Sequence, residues 1–83
     1  MHSQKIYVVA STKNIRDVHI ETVFDADVFT VHSIVAGLKD QLRELNYRVS
    51  YYGENAYIDI IDSNNELVNT YSIIRTTVML KNK

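Results

Sequence analysis

Phe24–Tyr47, FDADVFTVHSIVAGLKDQLRELNY, is the stretch whose periodicity decides the fold. On a helical wheel of about 100° per residue, Val28, Val31, Ile34, Val35, Leu38, Leu42 and Leu45 gather within about one third of the circumference. That stripe predicts one long amphipathic helix over residues 26–45, with these side chains turned to a core. Asp25 is the expected N-cap, its carboxylate accepting from free N–H groups of the first turn. Phe24 and Phe29 stand at the spacing of a hydrophobic staple, and Asp27 complements the helix dipole. Asn46 is expected to take the left-handed conformation that stops a helix, with Tyr47 folding back on Leu42.

Opposite the stripe lie Phe29, Ser33, Ala36 and Gly37, one large ring and three small residues. A glycine inside a helix costs about 1 kcal/mol relative to alanine. Gly37 is therefore expected to serve the close approach of another backbone, which makes this outer face a contact surface. The simpler account is that Phe29 only staples against Phe24 and the small residues face water.

The flanks read as strands. Lys5–Ala10 is rich in β-favouring residues, and Ser11–Asp17 is a polar connection. Val18–Phe24 alternates, with Val18, Ile20, Thr22 and Phe24 on one side and His19, Glu21 and Val23 on the other. It is expected to pair antiparallel to the first strand. After the helix come Tyr47–Tyr52, a turn at Gly53–Asn55, Ala56–Asp62, a turn at Ser63–Glu66, and Leu67–Arg75. Thr77–Leu80 extends that last strand or forms a short sixth. The order ββαβββ predicts an α+β two-layer sandwich, an antiparallel sheet of about five strands with one long helix.

Five strands at about 4.8 Å spacing make a sheet more than about 20 Å wide, which one helix about 10 Å across does not cover. The doublets Val8-Val9, Ile60-Ile61 and Ile73-Ile74 place apolar groups on both faces. A curled sheet or a second subunit must hide the remainder.

The chain has 83 residues, 9 Lys and Arg against 10 Asp and Glu, and a formal charge of −1. A domain of this size builds a marginal core, and without cysteine neither disulfides nor a thiolate metal site supplement it. Homodimerisation is the expected supplement. The balanced charge argues against a dedicated duplex-DNA binder. No run approaches the roughly 18 apolar residues of a membrane span, and Met1–Lys5 shows no signal-peptide pattern, so no membrane partner and a cytoplasmic location are expected. Proline is absent and glycine occurs only at 37 and 53, so no linker is visible and one α+β domain is expected over 1–83. Enrichment in Ile, Asn and Tyr accompanies AT-rich genomes, many phages among them. A phage-encoded modulator or inhibitor of a host enzyme is the specific form this suggests.

Candidate chemistry is sparse. His19 and Glu21 share a strand face, and Asp59 lies near them if the strands pair favourably; such a set would hold a metal or run acid–base catalysis. A solvated polar sheet face is the simpler account. His32 borders the core stripe, where a boundary histidine with one nitrogen in solvent is expected. Asp59, Asp62 and Glu66 flank the second turn, but lack the spacing and glycine of a calcium loop. Six tyrosines, at 7, 47, 51, 52, 57 and 71, fall in strands, where rings stack bases of single-stranded nucleic acid or simply pack half-buried. Lys81–Lys83 is too short for a basic arm. Neither a nucleophile elbow nor a glycine-rich phosphate loop is present.

The expectation is thus a small, non-enzymatic interaction or regulatory protein, a homodimer that binds a protein target and needs no cofactor or metal. Its expected contacts are Phe29, Ser33, Ala36, Gly37 and Asp40 on the helix, then Tyr52, Tyr57 and Ile61 on the open sheet face. The alternative is a single-strand RNA or DNA binder using Arg48, Tyr51, Tyr71 and Arg75.

Overall fold

The computed structural model describes residues 2–13 and 17–80. Its elements are β1 (His2–Lys13), β2 (Asp17–Asp25), α1 (Val31–Gln41), β3 (Asn46–Tyr52), β4 (Asn55–Ile61) and β5 (Leu67–Leu80). The expected order ββαβββ and the α+β sandwich are both present. All strands pair antiparallel, in the spatial order β2-β1-β5-β4-β3. β5 runs unbroken to Leu80, so Thr77–Leu80 extends the fifth strand. Ser11–Lys13 and Asp17 belong to β1 and β2, which shortens the expected connection; positions 14–16, like Lys81–Lys83, lie outside the described residues.

Side chains alternate between the faces of a strand, so the register sorts the sheet into two surfaces. One face carries the rows Thr22–Val9–Ile73–Ala56–Tyr51 and Ser11–Tyr71–Ile58–Val49. Val9, Ala56, Ile58 and Ile73 in these rows are sealed, at 1% exposure or less. They are covered by Val31, Ile34 and Val35 of α1 and by Leu42 at its C-cap, also buried. Each such side chain removed from water contributes about 1.5–3 kcal/mol, and this single interface is the core.

The helix is much shorter than periodicity predicts. It spans 11 residues, and its N-cap is Thr30, not Asp25. Ala26 N–H still donates to the Lys5 carbonyl, which keeps the chain on the sheet past Phe24. The Asp25 carboxylate takes the Asp27 N–H at 2.9 Å, and the Asp25 carbonyl takes those of Val28 and Phe29. Asp25 thus closes a local turn that competes with helix. The helix then starts on a capping box: Thr30 Oγ1 accepts from Ser33 N–H, and Ser33 Oγ accepts from Thr30 N–H. The Phe24 and Phe29 rings do meet, edge to face at 4.9 Å, but across this turn rather than along a helix.

At the other end Leu42 N–H is shared by the Leu38 and Lys39 carbonyls, and Leu45 N–H bonds to Leu42. Asn46 is not left-handed; it already pairs with Ile61 in β3. Val28 and Leu45 therefore fall outside the helix and are exposed, although they continue its apolar period.

The two hairpin turns follow expectation. Gly53, at φ 59°, makes the tight turn between paired Tyr52 and Asn55. Asn65, at φ 64°, sits in the second turn, where the Asp62 carboxylate accepts from Asn64 and Glu66 N–H. Among the described residues no helix is long and apolar enough to cross a membrane.

Candidate functional site

An irregularity in β2 shapes both candidate surfaces. Val9 pairs with Thr22 but Ala10 pairs with Ile20, so Glu21 is an extra residue without a partner on β1. A bulge of one residue exchanges the faces beyond it. The expected grouping of Val18, Ile20, Thr22 and Phe24 is therefore wrong. Thr22 and Phe24 face the helix, whereas Val18, Ile20 and Val23 all face the other way.

On the helix side a cleft of about 330 Å³ opens between α1 and strands β2, β1 and β5. Its sheet side is Val9, Glu21, Thr22, Phe24 and Tyr71. Its helix side is Phe29, Ser33, Ile34, Gly37, Leu38, Gln41 and Leu42. Three of the five helix residues expected to make contact, Phe29, Ser33 and Gly37, line it together. Ala36 and Asp40 are exposed and do not line it. Ser33 stands there as the capping residue, and a Cβ on Gly37 would meet nothing within 4 Å. Glu21 is the one charged group among these residues, and Ser11 Oγ, on a buried residue, donates to its carboxylate at 2.6 Å. Phe24, Leu38 and Gln41 escaped sequence reasoning as contacts. The Phe24–Phe29 spacing was their only available signal, since the bulge has none.

On the far side of the sheet no helix of the described residues packs. Its rows read Val18–Thr12–Thr70–Asp59–Arg48, Ile20–Ala10–Ser72–Tyr57–Ser50 and Val23–Val8–Ile74. Ile20 is 70% exposed, Val18 62% and Val23 51%. Ile6, Val8, Ala10 and Ile74 are half-buried beside them. The β2–β1–β5 half of these rows is mainly aliphatic, with Thr12, Thr70 and Ser72 among the apolar side chains and Asp25, paired with Ile6, at its margin. The β4–β3 half is polar: Ser50, Tyr52, Tyr57, Asp59 and Thr70 line a shallow hollow, with the Tyr52 and Tyr57 rings edge to face at 5.5 Å. Thr70 Oγ1 donates to Asp59 at 3.0 Å. Tyr52, Tyr57 and Ile61 all lie on this bare face, Ile61 half-buried at the end of β4.

The remaining sets are not assembled. Arg48 lies on the bare face, but Tyr51, Tyr71 and Arg75 lie on the helix face. Tyr71 packs against the core, and Tyr51 stacks on His32 with centroids 4.7 Å apart. Arg75 is held by Glu54, whose carboxylate, hydrogen-bonded to the guanidinium, raises its pKa above the ordinary value. The Arg75 backbone N–H donates to Asn55 Oδ1, which ties the first hairpin turn to β5. Asp59 stands three strand spacings from β2, about 14 Å, and on the face opposite His19. Among the described residues no three His, Asp or Glu side chains gather to hold a metal. No family model, no curated protein and no solved structure matches this chain.

Proposed function

We propose that this chain is a small interaction or regulatory protein that acts by binding another protein, performs no chemistry of its own, and works as a homodimer through the bare face of its sheet. The aliphatic patch on β2, β1 and β5 carries this: Val18, Ile20 and Val23 stand in solvent beside half-buried Ile6, Val8 and Ile74. Burying apolar area is worth about 25 cal/mol per Å², and among the described residues no helix covers this area. An aliphatic patch is its own complement, which suits the two-fold contact of a dimer. The cleft lies on the opposite side of the sheet, so a dimer joined through the bare faces leaves two identical clefts free for a target.

Light scattering tests the assembly. The expected mass is twice the 9.6 kDa of the chain. A mass of 9.6 kDa at high micromolar concentration would contradict it.

One observation favours a second reading. Tyr52, Tyr57 and Arg48 share the bare face, an arrangement suited to stacking single-stranded bases. Labelled oligonucleotides titrated at two salt concentrations decide: salt-sensitive binding lost in Tyr57→Ala supports it, and no binding removes it.

A further inference from the structure

Three properties of the cleft between α1 and β2 together describe an occupant. Its outer rim is a sheet edge: β2 pairs with β1, and among the described residues nothing pairs with its other side. Free N–H and C=O groups along such an edge take an extended chain by backbone hydrogen bonds, while a pocket alongside selects alternate side chains. Its lining is mainly apolar and includes Phe24, Phe29 and Leu38, and Gly37 leaves the helix wall open. Its one charged lining residue is acidic: Glu21, on an edge strand that carries Asp17, Glu21 and Asp25 and, over residues 17–25, no Lys or Arg. The bulge belongs to the same design. The extra residue is Glu21, and its carboxylate lies on the helix side, in the cleft, against Ser11.

We infer that the cleft takes an extended basic peptide segment, added to β2 as a further strand, with an apolar side chain among Phe24, Phe29 and Leu38 and a Lys or Arg side chain against Glu21. A helical partner would leave the free edge of β2 unsatisfied, and an acidic one would meet Glu21 and its neighbours with like charge. The inference rests on the chain being a protein-binding module and does not require the dimer.

Peptides of nine residues, the length of β2, are selected from a random displayed library on the immobilised protein, then resynthesised with a fluorophore and titrated by anisotropy. The proteins compared are the wild type, Glu21→Gln and Gly37→Leu. Glu21→Gln keeps an acceptor for Ser11, and Gly37→Leu adds atoms to open space; matching circular dichroism melts verify both folds. The expected peptides alternate Lys or Arg with β-branched or aromatic residues. Their affinity falls about tenfold or more in Glu21→Gln, in Gly37→Leu, and on N-methylation of alternate peptide amides. Peptides sensitive to Gly37→Leu but indifferent to Glu21→Gln and to N-methylation would overturn the basic strand and leave the binding module standing. If no peptide is selected, or Gly37→Leu changes nothing, both fall.

Discussion

Adjacent residues on the two central strands have opposite fates. Val9 and Ile73 are sealed beneath α1, whereas their neighbours Val8 and Ile74 are only half-buried, and Val23 in the same row is 51% exposed. The side chains are alike in size and hydrophobicity, so composition does not separate the faces. Cover does. Strands with apolar residues on both faces are the pattern of a sheet packed on both sides, and the fold supplies one layer. The unused face is the physical argument for a partner.

The largest expected effect sets one face against the other. Ile58→Ala should cost about 2–5 kcal/mol in denaturant unfolding, because Ile58 is fully sealed and its loss leaves a cavity. Ile20→Ala, measured where the protein is monomeric, should stay within about 0.5 kcal/mol. Equal costs would mean that the bare face is folded into the monomer after all.

A polar pair on each face sharpens the contrast. Glu21→Ala strands the buried Ser11 hydroxyl and should cost about 1–2 kcal/mol, while Asp59→Ala leaves the half-buried Thr70 hydroxyl to water and should cost less. Thr30→Ala weakens the cover itself. Loss of the capping box should lower stability by about 1 kcal/mol, and hydrogen exchange should quicken first in α1. The smallest effect is a gain: Gly37→Ala should raise stability by at most about 1 kcal/mol, since its methyl group meets open space and helix propensity improves. A loss of stability there would mean that the cleft is closed.

Much of this architecture was legible in the residues. Alternation and turn chemistry located the strands, because Gly53 and Asn65 sit where the backbone needs positive φ. The same apolar doublets announced two greasy faces. Helix length was not legible, for Val28 and Leu45 keep the apolar period while Asp25 spends its carboxylate on a turn and Asn46 is drawn into β3 by Ile61. Those are choices between local bonds of nearly equal strength, and tertiary pairing decides them. The bulge was invisible too, since inserting Glu21 leaves an alternation that still looks regular on paper. That one residue moved Val18 and Ile20 to the side away from Thr22 and Phe24, and it separated Glu21 from any site shared with Asp59. Of the expected contacts, Phe29, Ser33 and Gly37 line one cleft: Ser33 and Gly37 stand one helical turn apart, and Phe29 joins them from the turn before the helix, which begins at Val31, five residues after Ala26.

Sedimentation equilibrium of the wild type, Ile20→Asp and Ala36→Asp sets the two faces against each other, since one charge falls on the bare sheet face and the other on the outer helix surface. The expected result is a wild-type dimer whose dissociation constant rises about a hundredfold or more in Ile20→Asp and is unchanged in Ala36→Asp. A monomeric wild type, or a dimer broken by Ala36→Asp and untouched by Ile20→Asp, would contradict it.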